Sequence, residues 1–388
     1  MGLYERLGVD AQKRGVEEAF SRLLRSAVPG AFANIVRCPQ RGDGLVLHVD
    51  GAGSKPVIAY LCYKEEGGGE CFDGLMQDVV AMNVDDVIAV GARPLLFADY
   101  VAVNTHRIDK QLLLRALARG LDRALSLLST HGVPLELAGG ETADLPDQLR
   151  TLDLVGVVLG EINLERAVRG NVREGDVLVG LRSGGRAKYE ERENSGIMCN
   201  GLTLARHVLL SKKYSERYPE TREEKAAELT YRGRYELDDY IDELGSTVGE
   251  ALLSPTRIFA PIIGEVLVRA AESVRGIVHV TGGGLTKLTR LGRGVRYVVD
   301  SPPRPDPIFE LIRREGRIDL REMYEVFNMG IGIVVIAEKG AEEEIISASE
   351  KYDVEAAVIG RVVEGEPGVN ELVVYAEGSR LHYSRTVG

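Results

Sequence analysis

The stretch Phe72-Asp-Gly-Leu-Met-Gln-Asp-Val-Val-Ala-Met-Asn-Val-Asp-Asp-Val-Ile-Ala-Val90, followed by Gly91-Ala-Arg-Pro94 and Leu95-Leu-Phe-Ala-Asp-Tyr-Val-Ala-Val103, decides the fold class. Leu75, Val79, Met82, Val87 and Val90 recur at helical spacing, and Gly91 with Pro94 stops the helix. The apolar run that follows reads as a strand. The same alternation extends outward on both sides. Residues 110–131 repeat leucine and alanine at helical spacing up to Gly132, and 135–138 and 152–159 are strand-like. Upstream, 16–26 reads as a charged N-terminal helix, and 45–49 and 57–63 read as short strands. The first half is therefore an α/β (α+β) unit, expected over 1–169.

The second half, expected over 170–388, opens with a strand at 176–181 and then loses compactness. Residues 182–195 read as a loop, 201–210 as a helix, and 211–245 as a polar surface excursion. We therefore expect a charged insertion near 184–245, read as a solvated segment. An amphipathic helix at 256–273 follows, then strands at 277–280, 295–300, 331–337, 357–363 and 372–375, with helices at 307–314 and 341–352.

At 388 residues the chain can bury two cores without disulfides or metals. Its net charge of −11 argues against nucleic-acid or anionic-membrane partners, which need a dense cationic face. No stretch reaches transmembrane length without charge, and the N-terminus lacks a signal-type apolar core, so a cytoplasmic protein is expected. The four cysteines show no C-x-x-C spacing, which speaks against zinc. In an intracellular protein a Cys62–Cys71 bond is the exception, and idle thiols are expected.

Chemistry concentrates in five segments. Asp50-Gly-Ala-Gly-Ser-Lys55 ends a strand; Gly51 and Gly53 let backbone N–H groups approach an anion, and Lys55 adds a point charge. It is not the G-x-x-x-x-G-K-[ST] pattern, and alone it equally describes an ordinary turn. Asp78, Asn83, Asp85 and Asp86 share one helix; Asp86 is displaced by about 100° from Asp85 on the wheel. Such carboxylates suit Mg²⁺ held with nucleotide phosphates, or a solvated acidic face. Gly139-Gly140-Glu141-Thr142 follows a strand, where loops build ligand sites. Thr281-Gly282-Gly283-Gly284 and Asn328-Met-Gly330 supply two further glycine turns, and several such turns together point to phosphate recognition.

Read in order, these segments resemble the aminoimidazole ribonucleotide synthetase family, the phosphoribosylformylglycinamidine cyclo-ligases. Tyr4-Glu-Arg-Leu-Gly-Val-Asp10, Asp50-Gly-Ala-Gly-Ser-Lys55 and Asp78-Val-Val-Ala-Met-Asn-Val-Asp-Asp86 come first. Gly91-Ala-Arg-Pro94, Asp99-Tyr100, Gly139-Gly-Glu-Thr142 and Asn200-Gly201 follow. Ser254-Pro-Thr-Arg257, Thr281-Gly-Gly-Gly284 and Met323-Tyr-Glu-Val-Phe-Asn-Met-Gly330 complete the set. The resemblance implies a two-domain protomer and a homodimer whose N-terminal strands join in a barrel-like interface. It also implies an enzyme that converts formylglycinamidine ribonucleotide and ATP to aminoimidazole ribonucleotide, ADP and phosphate.

On this resemblance Asp50, Asp78, Asp86 and Glu141 hold Mg²⁺ and ATP, with Lys55 countering phosphate charge and Asp86 essential to turnover. Gly51, Gly53, Asp99, Gly139, Gly140 and Thr142 line the nucleotide. Asn200, Gly201, Gly282, Gly283, Gly284, Asn328 and Gly330 receive phosphate or the phosphoribosyl substrate. The chain departs from the family in two places. Met198 stands in Ser195-Gly-Ile-Met198-Cys-Asn-Gly201 where relatives usually carry histidine, leaving Arg186 or Lys188 as stand-ins, and Asp85 replaces a common asparagine. Two rival readings follow: a paralogous ATP-dependent enzyme acting on another small substrate, or a nucleotide-binding subunit without catalysis.

Overall fold

The computed structural model describes residues 2–10, 15, 19–20 and 23–387. The helix expected over 16–26 falls largely outside the described residues. In the first half, β1 (Gly44–Gly51) leads to α1 (Lys55–Glu66), α2 (Leu75–Ile88), β2 (Arg93–Val103), α3 (Lys110–Thr130), β3 (Glu136–Asp144) and β4 (Leu152–Ile162). The long strands lie in the order β1-β4-β2-β3, with a two-residue strand, Val36–Arg37, outside β1. β4 runs antiparallel to both β1 and β2, while β2 and β3 are parallel.

Residues 57–63, expected as a strand, lie inside α1. Pro56 occupies the first turn, where its missing N–H leaves no bond unmade, and Gly67 ends the helix at φ 76. Lys55 through Cys62 are buried except Val57, so the helix has no polar stripe from which a 3.6-residue period could be read. The expected loop at 139–142 is likewise part of a strand, the edge strand β3.

α2 is almost wholly buried, Asp78, Asn83, Asp85 and Asp86 included. It packs on β1 and β4 on one side and reaches α3 and the second half on the other. Close approach is possible because β4 carries glycine under the helix: a Cβ at Gly156 would lie 2.5 Å from Val79, and one at Gly160 2.5 Å from Val87. The opposite face of this sheet is open, with Leu47, Val49, Leu96 and Tyr100 exposed.

The second half contains β5 (Val177–Arg182), α4 (Leu202–Leu209), α5 (Ala260–Ala270), β6 (Val274–His279), β7 (Val295–Val299), α6 (Pro307–Gly316) and α7 (Leu320–Val326). It continues with β8 (Ile331–Ala337), α8 (Glu342–Glu350), β9 (Ala356–Glu364), β10 (Val369–Ala376) and β11 (Ser379–Thr386). Its seven strands lie in the order β6-β8-β5-β9-β7-β10-β11, antiparallel except for β7 and β10. α5 is shorter than the expected 256–273 helix; α7 and β11 were not expected.

The 211–245 stretch corrects another expectation. It is a strap across the two halves, anchored by buried Tyr214, Tyr218 and Tyr231. The Glu220 carboxylate accepts from the Tyr60 hydroxyl of α1 at 2.5 Å and pairs with Arg107 at 2.9 Å. Tyr231 stacks on Tyr214 and stands edge-on to His207 of α4. Charge on one side of the strap faces water, and the rings on the other close the core. Cys62 and Cys71 form a disulfide, against the expectation of idle thiols, tying α1 to the turn that precedes α2. Among the described residues no helix is long and apolar enough to cross a membrane.

Candidate functional site

The glycine turn at 51–54 leaves β1 and enters α1. The Asp50 carboxylate accepts from the Gly51 N–H at 2.8 Å, which fixes the start of the turn. Lys55, expected to counter phosphate charge, is fully buried and donates to Asp78 Oδ1 and the Ser254 carbonyl, both at 2.7 Å. Asp78 Oδ1 also accepts from the Thr256 N–H at 2.7 Å and the Thr256 hydroxyl at 2.6 Å. Lys55 and Asp78 thus join α1, α2 and the Ser254-Pro-Thr-Arg257 turn, while Asp78 Oδ2 is buried without a partner.

Two turns along α2, Asp86 sits between two histidines. Its Oδ1 is 2.7 Å from His279 Nδ1 and its Oδ2 3.2 Å from His48 Nε2. Burial alone would raise the Asp86 carboxyl, but hydrogen bonds from His279 and His48 hold it well below the carboxylate range. Asn83 donates through Nδ2 to the carbonyls of Asp50 and Val79, so its Oδ1, 3.0 Å from His48 Nδ1, accepts. His48 therefore donates from both ring nitrogens, as an imidazolium does. Burial works against that charge, yet the Asp86 bond leaves its pKa raised. Asp85 lies on the far side of His279, its Oδ2 4.0 Å from the ring Nε2; the same oxygen accepts from the Phe259 N–H at 3.0 Å while Oδ1 has no partner. Burial pushes its carboxyl up to about 7.

His48 and His279 are the functional candidates that the sequence reading missed. His48 could have been found, because it stands two residues before Asp50 and so shares its face of the strand. His279 ends β6 just before the Thr281 glycine turn, and no spacing linked it to α2.

Across the first sheet, Asp50, Gly156, Asp99 and Gly140 lie in one row of paired residues. Burial raises the Asp99 carboxyl, and a Cβ at Gly140 would collide with it. Gly139, Glu141 and Thr142 continue the edge strand, where Glu141 is exposed opposite Tyr100. Asp50, Asp78, Asp86 and Glu141 do not come together within one chain. Among the described residues the one set of three potential metal-binding side chains in mutual reach is Cys62, Glu66 and Cys71, whose cysteines form the disulfide.

The second-half turns do converge. The Asn328 side chain donates to the Gly196 carbonyl at 2.9 Å, and its Oδ1 accepts from Gly330 N at 2.8 Å and Ser183 Oγ at 3.1 Å. Asn200 donates to the Val280 carbonyl at 3.1 Å, beside Thr281, Gly282, Gly283 and Gly284. Gly201, at φ 64, starts α4. These loops reach the first-half turn: a Cβ at Gly53 would lie 3.3 Å from the Cys199 carbonyl, and Thr203 donates to Ser54 at 2.8 Å. Met198 is buried at φ 58 in this loop. Arg186 and Lys188 are exposed, with Lys188 bonded to the Lys351 carbonyl, so neither enters the loop in place of histidine. The charge that organises the segment is buried Arg257, which pairs with Glu190 and donates to the carbonyls of Arg182, Gly184 and Gly185.

Comparison with known proteins covers both halves of the chain. Residues 30–162 match the family described as AIR synthase related protein, N-terminal domain, and residues 173–370 match its C-terminal domain. The phosphoribosylformylglycinamidine cyclo-ligase of Methanocaldococcus jannaschii is 36% identical over 317 residues, 81% of this chain and 77% of that protein. That of Alkaliphilus metalliredigens is 30% identical over 374 residues, 92% and 93% of the two chains. Among solved structures, the hydrogenase maturation protein HypE in complex with ATP aligns with a TM-score of 0.56 at 16% identity, covering 98% of this chain and 97% of that one. Thiamine monophosphate kinase from Aquifex aeolicus aligns at 0.55 and 15%, covering 96% and 98%; at these identities the likeness speaks for the fold alone. By two domain matches that together span most of its length, and by its identity to full-length relatives, the chain belongs to the AIR synthase family.

Proposed function

We propose that this enzyme closes formylglycinamidine ribonucleotide to aminoimidazole ribonucleotide with ATP, releasing ADP and phosphate, as a cytoplasmic homodimer of purine biosynthesis. One observation carries the reading beyond the family match. The glycine turn of the first half, at the N-terminus of α1, abuts the glycine loops of the second half through Gly53 and Cys199. The turn proposed for the nucleotide phosphates thus adjoins the loop proposed for the substrate, as transfer of a phosphoryl group from one to the other requires.

An amide oxygen is a poor leaving group. Transfer of the γ-phosphoryl group to the formyl oxygen makes an iminophosphate; the amidine nitrogen attacks that carbon, loses its proton, and phosphate departs with the oxygen. The Asp50-Gly-Ala-Gly-Ser turn would cup the nucleotide phosphates. Asn200, Gly201, the glycines after Thr281, and Asn328 to Gly330 would hold the substrate phosphate.

The acids around the turn fit Mg²⁺ in kind. They are hard oxygen donors, and Asp78 Oδ2 and Asp85 Oδ1 are buried without partners. Asp50 and Asp86, which both act on His48, are the residues that would hold the ion, which when bound offsets phosphate charge; Asp78, taken by Lys55, and the exposed Glu141 do not join them within one chain. The Asp86 bonds to His48 and His279 keep that carboxylate ionised across the neutral range.

The test is ADP release by the purified protein with and without formylglycinamidine ribonucleotide. We expect release only with substrate, matched one to one by aminoimidazole ribonucleotide. ATP hydrolysis indifferent to the substrate overturns the reading.

A further inference from the structure

Asp306 occupies the N-cap position of α6, yet its side chain caps nothing there. An N-cap aspartate normally accepts from the first-turn N–H groups and so stabilises the helix. Here the carboxylate turns back toward β5. Its Oδ1 accepts from Arg182 Nη2 at 2.5 Å, and Arg182 Nη1 donates to the Arg304 carbonyl at 2.7 Å. Its Oδ2 is buried with no hydrogen-bond partner.

Three glycines from three separate segments surround that carboxylate. A Cβ at Gly184 would collide with it, one at Gly196 would lie 2.6 Å from Oδ2, and one at Gly330 would lie 3.0 Å from Oδ2. The loops bearing these glycines are also joined to one another through Asn328, and the Ser183 N–H donates to the Gly330 carbonyl at 3.1 Å. A buried acid is costly unless paired and hydrogen-bonded, and here Arg182 pairs one oxygen while the other goes unmet. Of these segments, that of Gly330 is one the proposed function gives to the substrate, and that of Gly196 runs on into Asn200 and Gly201, which it also gives to the substrate.

We propose that Asp306 is a positioning residue for the second-half site: paired with Arg182, its carboxylate sets the loops at 184, 196 and 328–330 against one another so that they fit a phosphorylated substrate. The inference rests on the proposed function for its substrate and on geometry for its residue. Burial moves the Asp306 carboxyl up to about 6, with Arg182 and Arg257 opposing the rise and Glu355 adding to it. The ion pair with Arg182 is therefore strongest above that pH.

The full chain carrying Asp306→Asn tests this, beside Asp306→Glu, whose extra methylene has no room among the glycines. We expect both to raise KM for formylglycinamidine ribonucleotide about tenfold or more, with KM for ATP changed less than about twofold. Unchanged substrate KM in both, or parallel rises in both KM values with loss of folded protein, overturns the inference. Arg182→Gln, which leaves Asp306 in place, should show the same split, and its absence there is equally adverse. Backbone hydrogen exchange separates this claim from the functional one. In Asp306→Asn the segments 183–185, 195–201 and 328–330 should exchange faster together, whatever substrate the wild type accepts. If they do not, the inference fails even when wild-type turnover is confirmed; if they do and wild type ignores the substrate, only the functional reading falls.

Discussion

At the scale of single residues, the site is a set of buried charges whose partners decide which of them titrate. Asp85 is fully buried, with one oxygen held by the Phe259 N–H and the other unmet. Its carboxyl sits near 7, above the roughly 4 of an unfolded aspartate. The folded state therefore binds the proton more tightly. The stability this confers is complete below about pH 4 and is lost as pH rises through about 7. Asparagine has the shape of the protonated acid and still accepts from Phe259. Asp85→Asn should match wild type at pH 4 and exceed it by on the order of 4 kcal/mol at pH 8, read from urea unfolding in metal-free buffer. Equal stability at both pH values would show that Asp85 is not held protonated. The sequence marked Asp85 as a departure, and its neighbours Asp78 and Asp86 as candidates. It did not disclose that Asp78 is taken by Lys55 or that Asp86 is bracketed by two histidines. Those partners lie 23, 38 and 193 residues away, and only the fold brings them together.

At the scale of elements, legibility followed solvent. α3 has one wet face and one dry one, and its bounds were read almost to the residue. α1 is dry nearly all round, so its apolar run passed for a strand. The edge strand β3 carries Gly139-Gly140-Glu141-Thr142, residues of turn type, and pairing with β2 overrides their preference. The strap over 211–245 was misread because its polar residues are many and its buried ones are tyrosines spaced without period. Its energetics can be dissected by two glutamates. Glu220 is nearly buried, meeting Arg107 and the Tyr60 hydroxyl, whereas Glu223 meets Arg150 with both side chains exposed by half. Glu220→Ala strands a buried hydroxyl and a cation, and should cost about 1–3 kcal/mol. Glu223→Ala should cost less than about 0.5 kcal/mol. Equal losses in thermal unfolding would mean that the strap is held by its rings and not by its charges.

At the scale of the whole molecule, the open face of the first sheet connects the fold to the proposed dimer. Leu47 and Val49 of β1 are 68% and 62% exposed, and Leu96 and Tyr100 of β2 are exposed on the same face. One face of the sheet buries α2, so alternation along the strands sends these apolar side chains outward. A strand carrying leucine and valine at successive outward positions is a poor surface for a monomer and a good one for a second copy. Substituting Leu47→Glu distinguishes the two cases. On a monomer, a glutamate at a site this exposed changes stability by no more than about 0.5 kcal/mol and leaves the sedimentation coefficient as it was. Across a two-fold interface the same change buries a carboxylate on each side, in apolar surroundings and close to its own symmetry mate, which opposes association strongly. We therefore expect wild type to sediment as a dimer and Leu47→Glu as a folded monomer with unaltered circular dichroism. A monomeric wild type removes the dimer from the proposal. A dimeric Leu47→Glu moves the interface elsewhere and leaves this face without a partner.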